Sequence, residues 1–158
     1  MIRSLFYILL CVVFVAGLTG CQEPTMEEKA AHFIQESHKL FKEFENGNAY
    51  LSEVRELEGA GEVSRSKVIS AISVGVDITQ SFHEVIDRAD VPTDLEPLKK
   101  DMLKSLEIRL DAYQLLDHYY DFQVERYLHD GDALLTQSFE LMMDVKERLN
   151  QYERVHEL

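Results

Sequence analysis

The longest helical repeat of apolar residues in this sequence limits its fold more than any other feature. Between positions 95 and 127, apolar or aromatic residues recur every three or four positions, which places them on one side of an α-helix. They are Leu95, Leu98, Met102, Leu106, Leu110, Tyr113, Leu116, Tyr120, Val124 and Tyr127. The spacing predicts a helix over about 93–128 that buries this side against other elements.

Three further segments have the same periodicity and predict three more helices. They cover about residues 25–58, 62–89 and 132–152. Thr25 and Glu28 have the spacing of a capping box at the start of the first helix. That helix either continues with a kink at Gly47 or breaks there, because glycine lowers helix propensity.

Short turns separate the predicted helices, at residues 59–61, 90–94 and 129–132. Each contains glycine, proline or aspartate, which favour turns. Short connections place consecutive helices antiparallel. The predicted fold is therefore all-α, an up-down bundle of four long antiparallel helices.

The second predicted helix contains Gly75 and several β-branched residues, each of which lowers helix propensity by up to about 1 kcal/mol. Close packing of another helix against Gly75 would explain the glycine. A strand over 74–78 is the alternative, although the sequence offers no partner strand.

The N-terminal segment is apolar without helical alternation. Arg3 is the only charged side chain among the first twenty residues, and an apolar run of about 14 residues, from Leu5 to Leu18, follows it. A membrane-spanning helix needs about 20 apolar residues. The shorter run after a basic residue is typical of a signal peptide.

This run ends in Leu18-Thr19-Gly20-Cys21, which resembles the lipobox of bacterial lipoproteins. The resemblance implies that the Cys21 sulfur receives a diacylglycerol and that a signal peptidase removes residues 1–20. Residues 21–25 would then be a lipidated tether and residues 26–158 the helical domain. The alternative is an uncleaved transmembrane anchor with an incidental cysteine.

The resemblance also implies a location on the extracytoplasmic face of the cell membrane. Gln22, which follows the cysteine, favours the outer membrane in an organism that has one. Cys11 would leave with the signal peptide, so no disulfide is expected within the remaining chain.

The chain is acidic, with a formal net charge of −13, and loss of Arg3 with the signal peptide leaves −14. A nucleic-acid-binding protein needs basic residues to replace the counterions of phosphates. Anionic headgroups would also repel this body. The sequence therefore predicts no nucleic-acid partner, and membrane attachment through lipid on Cys21 alone.

Sequence motifs for catalysis and for cofactors are missing: there is no Gly-x-Ser-x-Gly, no phosphate-binding glycine loop and no Cys-x-x-Cys-His. Di-iron bundles need two Glu-x-x-His pairs, and the sequence has only one, Glu153-Arg154-Val155-His156. Acid–histidine pairs four residues apart could share a metal, but ordinary contacts on a solvated face are the simpler interpretation. These pairs include His32–Glu36, His83–Asp87 and Glu125–His129. We therefore predict a protein without enzymatic activity, cofactor or bound metal.

Aromatic residues are enriched between positions 113 and 127. Tyr113, Tyr120 and Tyr127 share a helical face, whereas Tyr119 and Phe122 point elsewhere. A core position with the hydroxyls at its edge is one interpretation. The alternative is an exposed interaction patch formed by Tyr113, Tyr119, Tyr120 and Phe122, with acidic residues between them.

Two functions are compatible with these features. The first is a non-enzymatic interaction module that docks to another protein of the cell envelope. The second is a small-ligand or metal-binding lipoprotein associated with uptake. The second requires a pocket inside the bundle, and burial of His32, His83 or His118 beside carboxylates would favour it.

Overall fold

The computed structural model describes residues 23–157. Almost all of them belong to four α-helices. The helices are α1 (Met26–Gly59), α2 (Arg65–Arg88), α3 (Glu96–Phe122) and α4 (Glu125–His156). The all-α prediction is confirmed, and the strand considered for 74–78 is wrong, since α2 runs through it. The signal peptide, its cleavage site and Cys21 lie outside the described residues.

The four helices form a closed up-down bundle. Each packs on its neighbours in sequence, and α1 also contacts α4, which closes the ring. Ion pairs show that α1 and α4 are antiparallel. Paired residues move forward along α1 as they move backward along α4, in the order His38–Glu153, Glu45–Lys146, Arg55–Asp132.

α1 begins as its sequence predicts. The Glu28 N–H donates to Thr25 Oγ1 at 3.2 Å, and the Glu28 carboxylate accepts from the Thr25 N–H at 2.7 Å. These bonds satisfy two amides that a helix start leaves free. α1 then continues through Gly47 without a break, because burial of its apolar side outweighs the low propensity of one glycine.

The core consists of two clusters along the bundle axis. The first lies near the start of α1 and is centred on side chains such as Phe33, Phe41 and Leu106. The second lies near the α3–α4 turn and includes Ile72 and Leu116. A charged residue, Arg109, is buried between the two clusters.

Helices α3 and α4 approach closely because small residues face each other. Ser105 Oγ donates to the Ser138 carbonyl at 2.8 Å, and Ser138 Oγ donates to the Ser105 carbonyl at 2.8 Å. One heptad further along, Gly131 faces Ala112 and Leu116. A Cβ at Gly131 would lie 3.0 Å from Leu116 Cδ2 and 3.3 Å from the Ala112 carbonyl oxygen. The missing side chain therefore permits the short distance between the helices.

The turn predicted at residues 129–132 is wrong, because Gly131 is a buried residue within α4. The chain reverses earlier, at Gln123 and Val124. Gln123 has φ 55° and ψ 37°, a left-handed conformation that ends α3, and its N–H bonds to the Tyr119 carbonyl. Packing against α3 decides the role of Gly131, whereas its sequence neighbours favour a turn.

Candidate functional site

The end of the bundle at the α3–α4 turn carries an exposed group of aromatic and apolar side chains. We name His118, Phe122, Val124 and Tyr127 the distal patch. Phe122 is 66% exposed. The His118 ring meets Phe122 edge-on at 6.0 Å between centroids and Tyr127 at 5.5 Å. Such edge contacts are favourable aromatic geometry, and His118 lies between the exposed Phe122 ring and Tyr127 of α4.

The turn beneath the distal patch is tied to α2. The Arg65 guanidinium lies 5.7 Å from the Tyr120 ring centroid. With the Gln123 amide oxygen turned towards it, Arg65 donates to that oxygen from both terminal nitrogens, at 3.1 and 3.2 Å. Contacts from a third helix therefore fix the backbone that presents Phe122.

The structure corrects the four-residue aromatic patch at two positions. Tyr113 and Tyr120 are only 3% and 4% exposed, because they lie on the inward side of α3. Tyr119 is half-buried and packs edge-on against Tyr120 at 5.1 Å. Of the four residues, Phe122 alone is largely exposed, and it acts with neighbours that the sequence pattern did not include.

A second group of side chains lies inside the bundle around Arg109, which is 2% exposed. Its guanidinium carbon sits 4.1 Å from the Phe44 ring centroid. Its Nε donates to the Tyr113 hydroxyl at 2.8 Å. We name Phe44, Gly47, Gly75, Arg109 and Tyr113 the Arg109 cluster. It brings α1, α2 and α3 together where the two core clusters meet.

Two glycines make room for this cluster. A Cβ at Gly75 would lie 2.7 Å from Tyr113 Cζ and 2.8 Å from its hydroxyl oxygen. This confirms the predicted close approach of another helix at Gly75. A Cβ at Gly47 would lie 3.5 Å from an Arg109 terminal nitrogen, which is ordinary contact. The Tyr113 ring therefore occupies space that a larger residue at 75 would take.

The Arg109 charge lacks a counter-ion within residues 23–157, where no carboxylate forms a salt bridge to it and Nη1 has no hydrogen-bond partner. Burial lowers the pKa of Arg109 from its ordinary value, while the Tyr113 phenol opposes that change. Cation–π contact with Phe44 offsets part of the desolvation. The guanidinium remains the least compensated group in the described core.

A cavity of about 30 Å³ lies between α1, α2 and α3, and Arg109 is one of the residues that line it. Its polar lining comes from Glu43, Thr79, Arg109 and Tyr113, and the rest is apolar. The Thr79 hydroxyl donates to the Gly75 carbonyl at 2.7 Å. The cavity is too small for a drug-sized ligand and large enough for a water or a small ion.

The histidines considered for metal binding lie elsewhere. His32 is exposed, and half-buried His83 lies 3.6 Å from Glu107 on α3 rather than pairing with Asp87. His129 is at the surface beside Asp130. Among residues 23–157, no three His, Cys, Asp or Glu side chains are grouped to hold a metal ion.

Within residues 23–157, no helix combines the length with the apolar composition that crossing a bilayer requires. Comparison of the chain with protein-family models, with curated proteins and with solved structures found no match. The four packed helices place the protein in the class of all-α four-helix bundles.

A Gly75→Ala variant is expected to lose about 1–2 kcal/mol of unfolding free energy. The added methyl group overlaps the buried Tyr113 ring, which costs about 1–3 kcal/mol, and better helix propensity returns up to about 1 kcal/mol. Urea denaturation monitored by circular dichroism measures the difference. Gly59→Ala is the matched control, since nothing lies within 4 Å of a Cβ there. An equal effect of the two substitutions would contradict the close approach at Gly75.

Proposed function

We propose that the protein is a lipid-anchored, non-enzymatic interaction module of the cell envelope that binds a partner protein through its distal patch. The observation that carries the proposal is Phe122, a large apolar side chain left 66% exposed yet held in place by His118. Rigid aromatic side chains are enriched in protein interfaces and often dominate binding energy.

The position of the patch supports this role. α1 has 34 residues and is therefore about 50 Å long. The antiparallel order puts the α3–α4 turn at the opposite end of the bundle from Met26. Lipid on Cys21 would hold the first end of the bundle at the membrane and leave the distal patch facing away from it. The lipid and the partner would then engage opposite ends of the molecule.

The charges around the patch indicate what kind of surface fits it. Asp121 and Glu125 are exposed beside Phe122, and the chain as a whole is strongly acidic. A complementary surface has an apolar pocket for one aromatic ring and a neutral or basic rim, since like charges across an interface oppose binding. We therefore expect an envelope protein with such a pocket as the partner.

The alternative function, metal or small-ligand binding for uptake, has weaker support, because it was expected to depend on histidines buried beside carboxylates. Neither His32 nor His118 is buried beside a carboxylate, and His83 meets Glu107 only at the surface. The distal patch is instead an exposed aromatic and apolar surface at the end of the bundle, which suits a macromolecular partner.

A Phe122→Asp variant is expected to reduce partner binding at least tenfold, because a charge replaces the ring that enters the partner's pocket. A photo-crosslinking residue at Val124 in the native membrane should form one discrete adduct, and Phe122→Asp should abolish it. The free energy of unfolding should fall by no more than about 1 kcal/mol, since the side chain is exposed and the losses are one edge contact and an unfavourable charge at the end of α3.

Val155→Asp is the matched control. Val155 is 71% exposed near the end of α4, at the opposite end of the bundle. This variant should keep the adduct at full yield. Persistence of the adduct in Phe122→Asp, or its loss in Val155→Asp, would rule out the distal patch as the docking surface.

A further inference from the structure

We propose that the groove between α2 and α3 binds a linear aliphatic diammonium ion, with its methylene chain along the apolar lining and its two ammonium groups near Asp111 and Asp117. The groove is a separate surface from the distal patch, so this ligand is independent of the partner proposed there. It also involves none of the histidines considered for metal binding. Three features of the groove support such a ligand: its apolar lining, its two separated carboxylates and the absence of basic residues from its lining.

The groove lies along the surface where α2 and α3 pack together. Buried Ile72 and Tyr113 line it, together with half-buried Ile69, Val76 and Leu110. Its volume is about 500 Å³, which is in the range of small-molecule sites. An aliphatic ligand would remove more of these apolar side chains from water, and that burial is favourable.

Two carboxylates give the groove its charge. Asp111 is exposed and Asp117 is half-buried, and both line the groove from α3. They are six residues apart, which separates them by about 9 Å along the helix axis. Because α2 runs antiparallel to α3, Asp111 lies towards the Gln80 end of the groove and Asp117 towards the Ile69 end. The negative charge is therefore divided between two places along an apolar lining.

Neither carboxylate has a basic partner. Among residues 23–157, no salt bridge includes Asp111 or Asp117, and the pair that joins α2 to α3, between His83 and Glu107 at 3.6 Å, lies past the end of the groove. Within the same range, no lysine, arginine or histidine lines the groove. Its other polar side chains are neutral and offer oxygens that accept hydrogen bonds from an ammonium group. They are Ser73, Gln80 and Gln114. The groove is therefore suited to a cation.

The spacing of the carboxylates indicates the length of the ligand. Each residue turns the helix by about 100°, so the two side chains also differ by about 120° in direction, and the ligand has to span more than about 9 Å. An extended chain advances about 1.2 Å per bond, which places the nitrogens of 1,8-diaminooctane about 11 Å apart and those of 1,3-diaminopropane about 5 Å apart. The longer diamine can approach both carboxylates, whereas the shorter one reaches one at a time.

The test is a titration of the purified protein in non-ionic detergent with 1,8-diaminooctane hydrochloride, followed by methyl NMR at constant ionic strength. We expect saturable shifts of the Val76 and Leu110 methyl signals with a Kd of about 1 mM, since partly exposed ion pairs are individually weak. The methyl signals of Val155, near the end of α4, should not move. 1,3-Diaminopropane has the same charge and should bind at least about tenfold more weakly, because it covers less apolar surface and one carboxylate.

Asp111→Asn and Asp117→Asn should each weaken binding of 1,8-diaminooctane about fourfold, and the double variant should weaken it at least about tenfold. Glu140→Gln is the matched control. Glu140 is exposed on α4 and lies outside the groove, so this variant removes the same unit charge at a distant place. Because salt screens distant charges, it should change the Kd by less than about 1.5-fold.

Equal weakening by Glu140→Gln and the two aspartate variants would mean that the diamine is attracted by the acidic surface as a whole, and would overturn the proposal. Equal affinities of the two diamines would also overturn it, since charge alone would then explain binding. So would the absence of saturable shifts at Val76 and Leu110 in the wild-type protein.

Discussion

A Cys21→Ala variant is expected to accumulate entirely as the full-length precursor, without lipid. The sulfur is the atom that would receive the diacylglycerol, and cleavage before residue 21 follows that modification in the lipoproteins that the lipobox resembles. Intact-mass spectrometry of the purified product distinguishes the two forms, because the precursor retains residues 1–20 and lacks the added acyl mass.

Cys11→Ala provides the matched control, since this cysteine lies within the predicted signal peptide and should leave processing unchanged. Normal processing of Cys21→Ala would overturn the lipoprotein assignment. A native protein that still carries residues 1–20 and a free thiol would instead support the transmembrane anchor. Two or more acyl chains on Cys21 would hold the protein stably at the membrane. The acidic helical domain would not bind anionic lipid by itself.

A Leu106→Ala variant is expected to lose about 3–4 kcal/mol of unfolding free energy. Leu106 is 0% exposed, at the end of the first core cluster beside Arg109. Truncation removes buried methyl groups and leaves a cavity that the surrounding helices fill only in part. A urea titration of the wild-type and variant proteins gives the difference from the two midpoints.

Leu110→Ala is the comparison for this experiment, because it makes the same change one turn later on α3. Leu110 is half-buried beside an open groove between α2 and α3. Its truncation should cost about 1 kcal/mol, since less apolar area is lost from the interior. Equal losses for both variants would show that Leu106 does not occupy the core as described.

Apolar spacing was sufficient to predict the number, order and direction of the helices. Among regular secondary structures, the α-helix is the one that places every third or fourth side chain on a single buried face. The capping box predicted where α1 begins. The spacing was weaker at the α3–α4 connection. There the glycine and aspartates of residues 129–132 favour a turn locally, but Gly131 is needed for close packing against Leu116.

The candidate sites were harder to predict, because both depend on which helices meet. The Tyr113–Tyr120 spacing already indicated an inward face, and the exposed part of the aromatic group reduces to Phe122. Arg109 had a detectable signal: it lies three residues after Leu106 and four before Tyr113, so it shares their face. The apolar set used for the prediction included the next residue, Leu110, and therefore did not identify Arg109 as a core position. A charged residue on an apolar face is therefore worth testing as a buried group.

The interlocked serines between α3 and α4 have a consequence for how the molecule opens. Two residues connect these helices, so their contacts close a small loop and form at low entropic cost. α1, by contrast, meets α4 across most of the chain length, through ion pairs near the surface and through the stacked rings of Phe44 and Phe139. The α3–α4 hairpin should thus be the last unit to unfold, with its backbone amides protected longest from hydrogen exchange. The helix that begins at Met26 would separate first, while the end that carries the distal patch stays folded.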